Sequence, residues 1–214
     1  MIVIIQARSN SKRFNNKVLY KIYNKPIIWH VISKIKKSKK VKKIIIATSK
    51  NKTDDRLVKY LKKIKVNYFR GSLINVAKRL CDAAEKNEAK YFMRVSADSP
   101  LIDSTIINKA IRIFKSQKTK YDIITNTFPR SYPQGQSVEI IRTSKLRYHL
   151  KKFNNEQQEH VTKYFYKNYK KFMIKNFKNT KTKTKTKLAI DTKSDLKMIL
   201  RKFNEKNFIN FSLK

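Results

Sequence analysis

The 214-residue chain is 40% hydrophobic and 11% aromatic, which is enough for one domain with a sizeable core, so a disordered protein is not expected. Its one cysteine excludes a disulfide scaffold, and no apolar run approaches the roughly 20 residues of a transmembrane helix. With 53 Lys and Arg against 14 Asp and Glu, the net charge is +39, which raises the alternative of a nucleic-acid-binding module.

The positive charge is spread along the whole chain, and 42 of the 53 basic residues are lysines. Abundant Lys, Asn and Ile indicate a compositional bias rather than one nucleic-acid-binding patch. The apolar run at the start is too short for the core of a signal peptide and has no basic segment before it. We therefore expect a cytoplasmic protein with no membrane insertion and no specific nucleic-acid partner.

Short β-branched runs alternate with amphipathic stretches, a pattern that predicts an α/β fold with a mostly parallel sheet. The predicted strands are residues 2–6, 43–47, 65–69, 91–95, 122–125, 137–141 and 187–190. The predicted helices are residues 26–37, 53–64, 74–86, 103–114, 144–151, 156–166 and 194–203. Pro26 suits a first helical turn, and the predicted N-caps are Thr53, Asp103 and Ser194.

Residues 179–187 alternate Thr and Lys. The lysines favour a solvated edge strand or loop, because charged side chains protect a sheet edge from pairing with other chains. A nucleic-acid-binding arm is the alternative for this stretch.

Polar residues follow several predicted strands, at the position where open α/β sheets bind their ligands. The segment after the first strand carries four cations, Arg8, Lys12, Arg13 and Lys17. Fixed cations and backbone amides in such a loop are suited to a polyphosphate. The glycine spacing of a Walker loop or a dinucleotide fingerprint is missing, so neither of those sites is predicted.

Two of the few acidic residues stand directly after apolar runs. Asp98 follows the predicted strand 91–95, and Asp191 follows the predicted strand 187–190. If these strands are neighbours, the two carboxylates can share one Mg²⁺, which prefers oxygen ligands and keeps water or phosphate in its other positions. The three histidines are too dispersed for a zinc site. Together with the basic loop, the two aspartates favour phosphoryl chemistry.

Several motifs occur in a fixed order along roughly residues 1–195. They are Ile4-Ile5-Gln6-Ala7-Arg8, Ser11, Arg13, Lys17-Val18-Leu19, Lys25-Pro26, Ala47-Thr48-Ser49, Asp54-Asp55, Arg70-Gly71-Ser72, Val76, Arg79, residues 94–103, Asp122, Asn126, Tyr132-Pro133, Gly135, Val138, Glu139, Glu159-His160-Val161-Thr162, Asp191-Thr192 and Asp195. The series resembles the cytidylyltransferase family, which includes CMP-sialic acid and CMP-Kdo synthetases, and most of all the spore coat polysaccharide biosynthesis proteins.

This resemblance implies a single domain over residues 1–214 with the Rossmann-like fold of nucleotide-diphospho-sugar transferases. It implies a mostly parallel sheet with helices on both faces and a small β-rich insertion, at about residues 127–180, for dimerisation and acceptor binding. The implied reaction is Mg²⁺-dependent transfer of CMP from CTP to an acidic sugar, with release of pyrophosphate, in surface polysaccharide biosynthesis. The implied partners are CTP, a sugar acceptor and a second copy of the chain.

The resemblance also implies roles for individual residues. The groups that hold the triphosphate or take part in catalysis would be Arg8, Arg13, Lys17 and Asp98, with Ala7 and Ser11 beside them. The base pocket would contain Ala47, Thr48, Ser49, Arg70 and Arg79. The metal ligands would be Asp98 and Asp191, and the acceptor sugar would face Tyr132, Gln134, Glu139, Glu159 and His160.

The chain departs from the family pattern in the first loop. It has Asn10 and Asn16 where members usually have glycine, and Asn15 where proline is common. Asparagine reaches the left-handed backbone region but adds a side chain near the phosphates. If either position requires a geometry that only glycine reaches, nucleotide affinity would fall. Separately, two alternatives keep the fold and change the chemistry: a nucleotidyltransferase with another base, and a related glycosyltransferase.

Overall fold

The structure is a computed structural model that describes residues 1–11, 13–117, 120–179 and 186–213. The strands in these residues are β1 (Ile2–Gln6), β2 (Lys21–Ile22), β3 (Lys25–Pro26), β4 (Lys43–Ser49), β5 (Asn67–Gly71), β6 (Tyr91–Ser96), β7 (Ile123–Thr125), β8 (Glu139–Arg142) and β9 (Ile174–Asn176). The α-helices are α1 (Ile27–Lys36), α2 (Asp55–Lys63), α3 (Val76–Lys86), α4 (Ser104–Ser116), α5 (Thr143–His149), α6 (Asn155–Glu159), α7 (Lys163–Lys167), α8 (Lys193–Lys202) and α9 (Glu205–Ile209). Short 3-10 helices cover Lys17–Leu19, Lys52–Asp54, Leu150–Lys152 and Tyr169–Lys171.

The centre of the described structure is a seven-stranded sheet with the strand order β5-β4-β1-β6-β8-β7-β9. The pairs β4–β5, β1–β4, β1–β6 and β7–β9 are parallel, and β8 runs antiparallel to both of its neighbours. The predicted mostly parallel sheet is therefore confirmed. Its central strands end at one edge, where the loops that follow β1, β4 and β6 come together.

Helices cover both faces of the sheet, because the central strands are apolar on both sides. Val3 and Ile5 of β1 pack into a cluster with α1, α2 and α4, whereas Ile4 packs against α3. All three side chains are fully buried. This is the arrangement expected for a parallel strand with a continuous apolar run.

The strand predicted at residues 187–190 is wrong. Residues 186–190 form a loop in which the amide of Leu188 donates to the carbonyl of Gln134 at 2.7 Å, and the amide of Ile190 donates to the carbonyl of Asp98 at 2.9 Å. Leu188 and Ile190 are buried, so their apolar character reflects packing and not a place in a strand ladder. Residues 180–185 of the Thr-Lys stretch lie outside the described residues.

The segment expected to be β-rich contains more helix than strand in its described part, residues 127–179. Its strands, β8 and β9, join the central sheet and do not form a separate β-unit. The helix predicted at residues 156–166 is interrupted after Glu159 and continues as α7. The interruption places His160 and Thr162 in a turn beside the sheet.

Helix starts differ from the predictions in detail. Asp103 is the N-cap of α4, as predicted, and accepts a hydrogen bond from a backbone amide in the first turn. Thr192 rather than Ser194 caps α8, and Asn51 rather than Thr53 caps the 3-10 helix before α2. Pro26 ends the short hairpin of β2 and β3 directly before α1. No helix among the described residues combines the length and apolar character needed to cross a membrane.

Candidate active site

The segment after β1, called here the β1 loop (residues 7–17), carries the predicted phosphate-binding cations. The carbonyl of Ser9 accepts hydrogen bonds from the amides of Ser11, at 3.0 Å, and Asn16, at 2.9 Å, so one carbonyl organises the loop. Asn16 has a φ of 54°, in the left-handed region that favours glycine and that Asn tolerates. At position 16 the asparagine therefore adopts the conformation that a glycine would supply.

Lys17 is buried between the two predicted metal ligands. Its Nζ lies 3.5 Å from Asp98 Oδ2 and 3.6 Å from Asp191 Oδ1. The two segments meet because the amide of Ile190 bonds to the carbonyl of Asp98. The structure thus brings Asp98 and Asp191 to one point, through paired loops and not through neighbouring strands.

Further cations surround Asp191. Lys187 Nζ lies 2.9 Å from Asp191 Oδ2, and Arg13 Nη2 lies 3.6 Å from Asp191 Oδ1. Burial by itself raises the pKa of the Asp191 carboxyl, but the hydrogen bond from Lys187 and the charges of Lys17, Lys187 and Arg13 bring it below its ordinary value. Asp191 is therefore ionised at neutral pH, as a metal ligand must be.

The donor set at this point is suited to a hard cation. Two carboxylate oxygens converge here, and in the described part of the chain no group of three or more His, Cys, Asp or Glu side chains could hold a metal ion. A Mg²⁺ ion bound by one or two carboxylates takes its remaining ligands from water and substrate phosphates. Asp98 and Asp191 fit that arrangement and do not fit a closed, all-protein metal cage.

Two cavities meet at the aspartates. The smaller, of about 280 Å³, contains the β1-loop side chains and the buried end of α3. The larger, of about 500 Å³, lies between β6, β8 and residues 127–137 and 160–166. The residues that line both cavities are Ser96, Asp98, His160 and Asp191.

Arg8 connects the β1 loop with the segment after α6. Its guanidinium forms two hydrogen bonds with the Glu159 carboxylate, at 2.8 Å and 3.3 Å. The two side chains are 37% and 38% exposed. This ion pair lies beside the smaller cavity, where an incoming anion can compete with Glu159 for Arg8.

Most predicted base-pocket residues do not line the two cavities. Ala47, Thr48 and Ser49 are fully buried at the end of β4. Arg70 donates to the carbonyls of Ser49 and Asn51, each at 2.9 Å, and lines a separate cavity of about 630 Å³. Arg70 therefore secures the loop after β4 in this structure.

Arg79 is the predicted base-pocket residue that lines the smaller cavity. Its guanidinium is buried and donates to the carbonyl of Ser72 at 2.5 Å. Burial, followed by the positive charge of Arg8, lowers the pKa of Arg79 to about 10, while the charges of Asp54 and Glu159 act in the opposite direction. Arg79 remains cationic at neutral pH in a largely dehydrated position.

The predicted acceptor residues lie in three places. Gln134, Glu139 and His160 line the larger cavity, and Glu159 lines the smaller one. Tyr132 lies elsewhere: it is buried in the apolar cluster under α4, and its hydroxyl is 3.4 Å from the carbonyl of Lys178.

Glu139 forms the floor of the larger cavity. Its buried carboxylate pairs with Arg94 and accepts hydrogen bonds from Thr162 Oγ1, at 2.8 Å, and from the Tyr166 hydroxyl. Burial by itself raises the pKa of Glu139, but Arg94 and the two hydroxyls lower it below its ordinary value. Arg94 is in turn held by Gln6, whose Oε1 accepts from Arg94 Nε at 2.8 Å.

Several residues at the site have no predicted role from the sequence. Nothing in the helical pattern marks Tyr166 as a partner of a strand carboxylate, since the two are 27 residues apart. Lys187 is hidden by the lysine-rich background. The scarcity of acidic residues is the signal that could have marked Asp54, a fully buried carboxylate among only 14 acids.

Comparison with known proteins defines the class to which this fold and site belong. Residues 2–211 match the protein family described as Cytidylyltransferase, and the chain belongs to that family. It is 27% identical over 208 residues to the spore coat polysaccharide biosynthesis protein SpsF of Bacillus subtilis (strain 168), covering 93% of this chain and 84% of that protein.

Solved structures agree with this assignment. A cytidylyltransferase from Leptospira borgpetersenii matches with a TM-score of 0.89 and 29% identity, covering 99% of this chain and 90% of that one. A CMP:2-keto-3-deoxy-manno-octonic acid synthetase solved with CTP matches with a TM-score of 0.71 and 17% identity, over 92% of this chain and 96% of that one, which shows a shared fold. The predicted Rossmann-like nucleotidyltransferase fold is confirmed, and the chain is a CTP-dependent nucleotidyltransferase.

Proposed function

We propose that the chain transfers CMP from CTP to a hydroxyl of an acidic sugar and releases pyrophosphate, as a step in making a surface polysaccharide. The observation that carries this proposal is the meeting of two cavities at Asp98 and Asp191. A reaction between two substrates requires two pockets with a shared boundary. Here that boundary contains the residues best suited to bind a divalent cation.

The smaller cavity is assigned to the nucleotide. Arg8, Arg13 and Lys17 supply positive charge from the β1 loop, and the carboxylates that now pair with them are at least a quarter exposed. At Arg8 and Arg13, whose side chains are 37% and 69% exposed, a triphosphate can replace the carboxylate without breaking a buried ion pair. Ala7 and Ser11 line the same cavity, and Arg79 lies at its inner end. Ala47, Thr48 and Ser49 at the end of β4 and Arg70 in β5 do not line this cavity.

Asp98 and Asp191 would hold Mg²⁺, which supplies charge neutralisation at the phosphates when it is bound. The sugar oxygen forms the new bond to the α-phosphorus, the bond to the pyrophosphate oxygen breaks, and the hydroxyl proton passes to solvent. In-line transfer of this kind depends on positioning and charge neutralisation more than on a nucleophilic side chain. In the site, Lys17 lies next to both aspartates and Arg13 next to Asp191, and both cations can stabilise the leaving pyrophosphate.

The larger cavity is assigned to the acceptor sugar. Gln134, Glu139 and His160 line it and offer hydrogen-bond partners for hydroxyl groups. Arg130 also lines it, and the polar partner of its guanidinium among the described residues is a neutral hydroxyl, that of Ser137, at 3.1 Å and 3.2 Å. A guanidinium in this position is suited to the carboxylate of an acidic sugar.

The chain is further proposed to act as a homodimer, through the segment of residues 127–179. Large side chains in that segment are exposed: Tyr148 by 64%, and Tyr169 and Met173 by 51% each. A contiguous exposed apolar patch is typical of a surface that packs against another protein, and the proposal is that these side chains form one. Light scattering coupled to size-exclusion chromatography measures the oligomeric state directly, and a monomer at all concentrations would contradict this part.

The reaction is tested by incubating the full chain with CTP, Mg²⁺ and a panel of acidic and neutral sugars while pyrophosphate release is followed. We expect turnover with at least one acidic sugar, dependence on Mg²⁺ and a CMP-sugar product by mass spectrometry. Turnover with neutral sugars alone would overturn the acceptor assignment. A thermal-shift series with CTP, UTP, GTP and nucleotide sugars checks the nucleotide, since a bound ligand raises the melting temperature.

A further inference from the structure

Asp54 lies beneath the nucleotide pocket and has no part in the reaction proposed above. Its side chain is fully buried, at 0% exposure, in a chain with only 14 acidic residues. Burying a carboxylate is costly unless every charge-bearing oxygen is hydrogen-bonded. The buried carboxylate of Asp54 therefore requires hydrogen-bond donors close to both of its oxygens.

Those partners come from two different loops. Asp54 Oδ1 accepts from the amide of Ser9 at 2.6 Å, and Oδ2 accepts from the amide of Ser49 at 2.9 Å and from the Ser49 hydroxyl at 2.5 Å. Ser9 and Ser49 are buried, with 1% and 0% exposure, so their amides have no access to bulk water. One carboxylate thus satisfies groups at the ends of both β1 and β4.

A helix cap is the ordinary role for an aspartate at this position, and the structure excludes it. Asp54 stands directly before α2, yet its side chain makes no capping hydrogen bond to that helix. The 3-10 helix at Lys52–Asp54 is capped instead by Asn51. All three hydrogen bonds of the Asp54 carboxylate go to Ser9 and Ser49.

The bond to Ser9 extends into the β1 loop. The ladder between β1 and β4 ends where the amide of Ala7 donates to the carbonyl of Ala47 at 3.1 Å, and beyond that point the two strands are no longer paired. Asp54 closes the gap through Ser9, whose carbonyl accepts from the amides of Ser11 and Asn16. Asn16 in turn precedes the turn of helix that carries Lys17.

We propose that Asp54 is a positioning residue, which holds the β1 loop in its nucleotide-binding conformation by joining Ser9 to Ser49. Its carboxylate does not touch the nucleotide; it acts through the backbone of Ser9 on Ser11, Asn16 and Lys17. The inference rests on the proposed role of the β1 loop in holding the triphosphate. Burial alone would raise the pKa of Asp54, but its hydrogen bonds to Ser49 and Ser9 keep it below the ordinary value, so the bridge is charged at neutral pH.

The test compares Asp54→Asn with a matched control, Asp122→Asn. Asp122 is also buried, at 5% exposure, and accepts a hydrogen bond from a backbone amide, that of Met173 at 3.1 Å, but it lies at the start of β7, away from both cavities. Equilibrium binding of CTP is measured by calorimetry without any sugar, together with KM and kcat for CTP where turnover is available.

We expect Asp54→Asn to weaken CTP binding about 10-fold to 100-fold, the loss that corresponds to one unsatisfied buried donor. The effect should appear in KM for CTP, with kcat at saturating CTP and KM for the acceptor changed by less than about threefold, because the pocket is misplaced and not chemically altered. Asp122→Asn should lower stability and leave the dissociation constant for CTP within about twofold of the wild type. Equal CTP affinity in wild type and folded Asp54→Asn, or an equal loss in Asp122→Asn, would overturn the inference.

Hydrogen exchange of the unmodified protein provides a test that does not depend on the variant folding. The amides of Ser9 and Ser49 should exchange as slowly as those in the middle of β1, and exchange at the rate of an open loop would refute the bridge. A wild-type protein that fails to bind CTP would overturn the proposed function and this inference together. Loss of sugar transfer with CTP binding intact would leave the role of Asp54 standing.

Discussion

The two sides of the site hold their charges in opposite ways. On the nucleotide side, the ion pair of Arg8 and Glu159 is 37% and 38% exposed. On the acceptor side, the pair of Arg94 and Glu139 is only 17% and 4% exposed and is surrounded by further hydrogen bonds. Both pairs join arginine to glutamate, so the difference comes from their surroundings.

This difference indicates which charges can change partners. An exposed ion pair contributes little to stability because water screens it, so a phosphate can replace the carboxylate at small cost. A buried pair cannot lose one member without leaving an unpaired charge in a dehydrated position. The ion pair on the proposed nucleotide side can therefore exchange its carboxylate for another anion, whereas the pair on the proposed acceptor side stays in place.

The largest expected effect concerns the junction between the two sides. Asp98→Asn and Asp191→Asn should each lower kcat about a thousandfold or more, because each removes a carboxylate from the proposed metal site while keeping the shape of the side chain. Pyrophosphate release under saturating CTP and acceptor is the measurement. Asp82→Asn, which alters an ion pair between Asp82 on α3 and Arg147 on α5, is the control and should retain full activity. An active Asp98→Asn protein would contradict the metal assignment.

Substitutions in the buried pair of Arg94 and Glu139 should change the stability of the fold. Glu139→Gln leaves Arg94 without its charged partner and is expected to lower the free energy of unfolding by about 3 kcal/mol. Urea denaturation followed by circular dichroism gives this value. The double variant Arg94→Met with Glu139→Gln should recover part of the loss, because no unpaired charge remains. A change within about 0.5 kcal/mol in Glu139→Gln alone would show that the pair is not buried in solution.

The same pair predicts a dependence on pH. The folded-state pKa of Glu139 lies below its ordinary value of 4.5, so the ionised carboxylate stabilises the folded state above that pH. The contribution is lost as the pH falls from about 4.5 through the lowered folded-state pKa. The free energy of unfolding of the wild type should therefore decrease more steeply over this range than that of Glu139→Gln. Parallel curves for the two proteins would remove Glu139 as the cause.

The smallest expected effect is on the exposed pair. Glu159→Gln should change the free energy of unfolding by less than about 1 kcal/mol, because both partners are more than one-third exposed. The same variant should bind CTP at least as tightly as the wild type, since Arg8 is released from a competing carboxylate. Thermal unfolding and CTP titration at low and high salt measure the two effects. A loss of several kcal/mol in the free energy of unfolding would show that the Arg8–Glu159 pair behaves like the buried Arg94–Glu139 pair, and the contrast between the two sides would then be wrong.

The local sequence pattern predicts the central sheet well. The apolar runs at β1, β4 and β6 are continuous because both faces of these strands are covered, and such runs are recognisable without any tertiary information. The run at residues 187–190 has the same composition but lies in a loop, with its amides bonded to Gln134 and Asp98. A short apolar run reveals that residues are buried and does not reveal whether a ladder partner lies beside them.

The site shows the same division. Asp98 can be located from the sequence, because a carboxylate after an apolar run stands out in a chain with few acidic residues, and Lys17 can be located from the series of motifs that follows the first strand. Tyr166 and Asp54 cannot be assigned a partner in this way, since their contacts join positions 27 and 45 residues apart. Tyr132 shows the reverse: its place in the motif series predicts a pocket residue, but packing under α4 buries it elsewhere.

The sequence by itself determined the class of fold, the family and the segment that carries the cations proposed to bind phosphate, because these depend on periodicity and on motifs within short stretches. Only the tertiary structure decided which of the many charges act together. In a chain with a net charge of +39, the role of one lysine depends on which carboxylates the fold brings close to it. It also depends on how far the pair is exposed to water, because water weakens the attraction between the charges. Distance and burial are properties of the folded chain, and for this reason the exposed and buried ion pairs on the two sides of the site differ in a way that their residue types do not reveal.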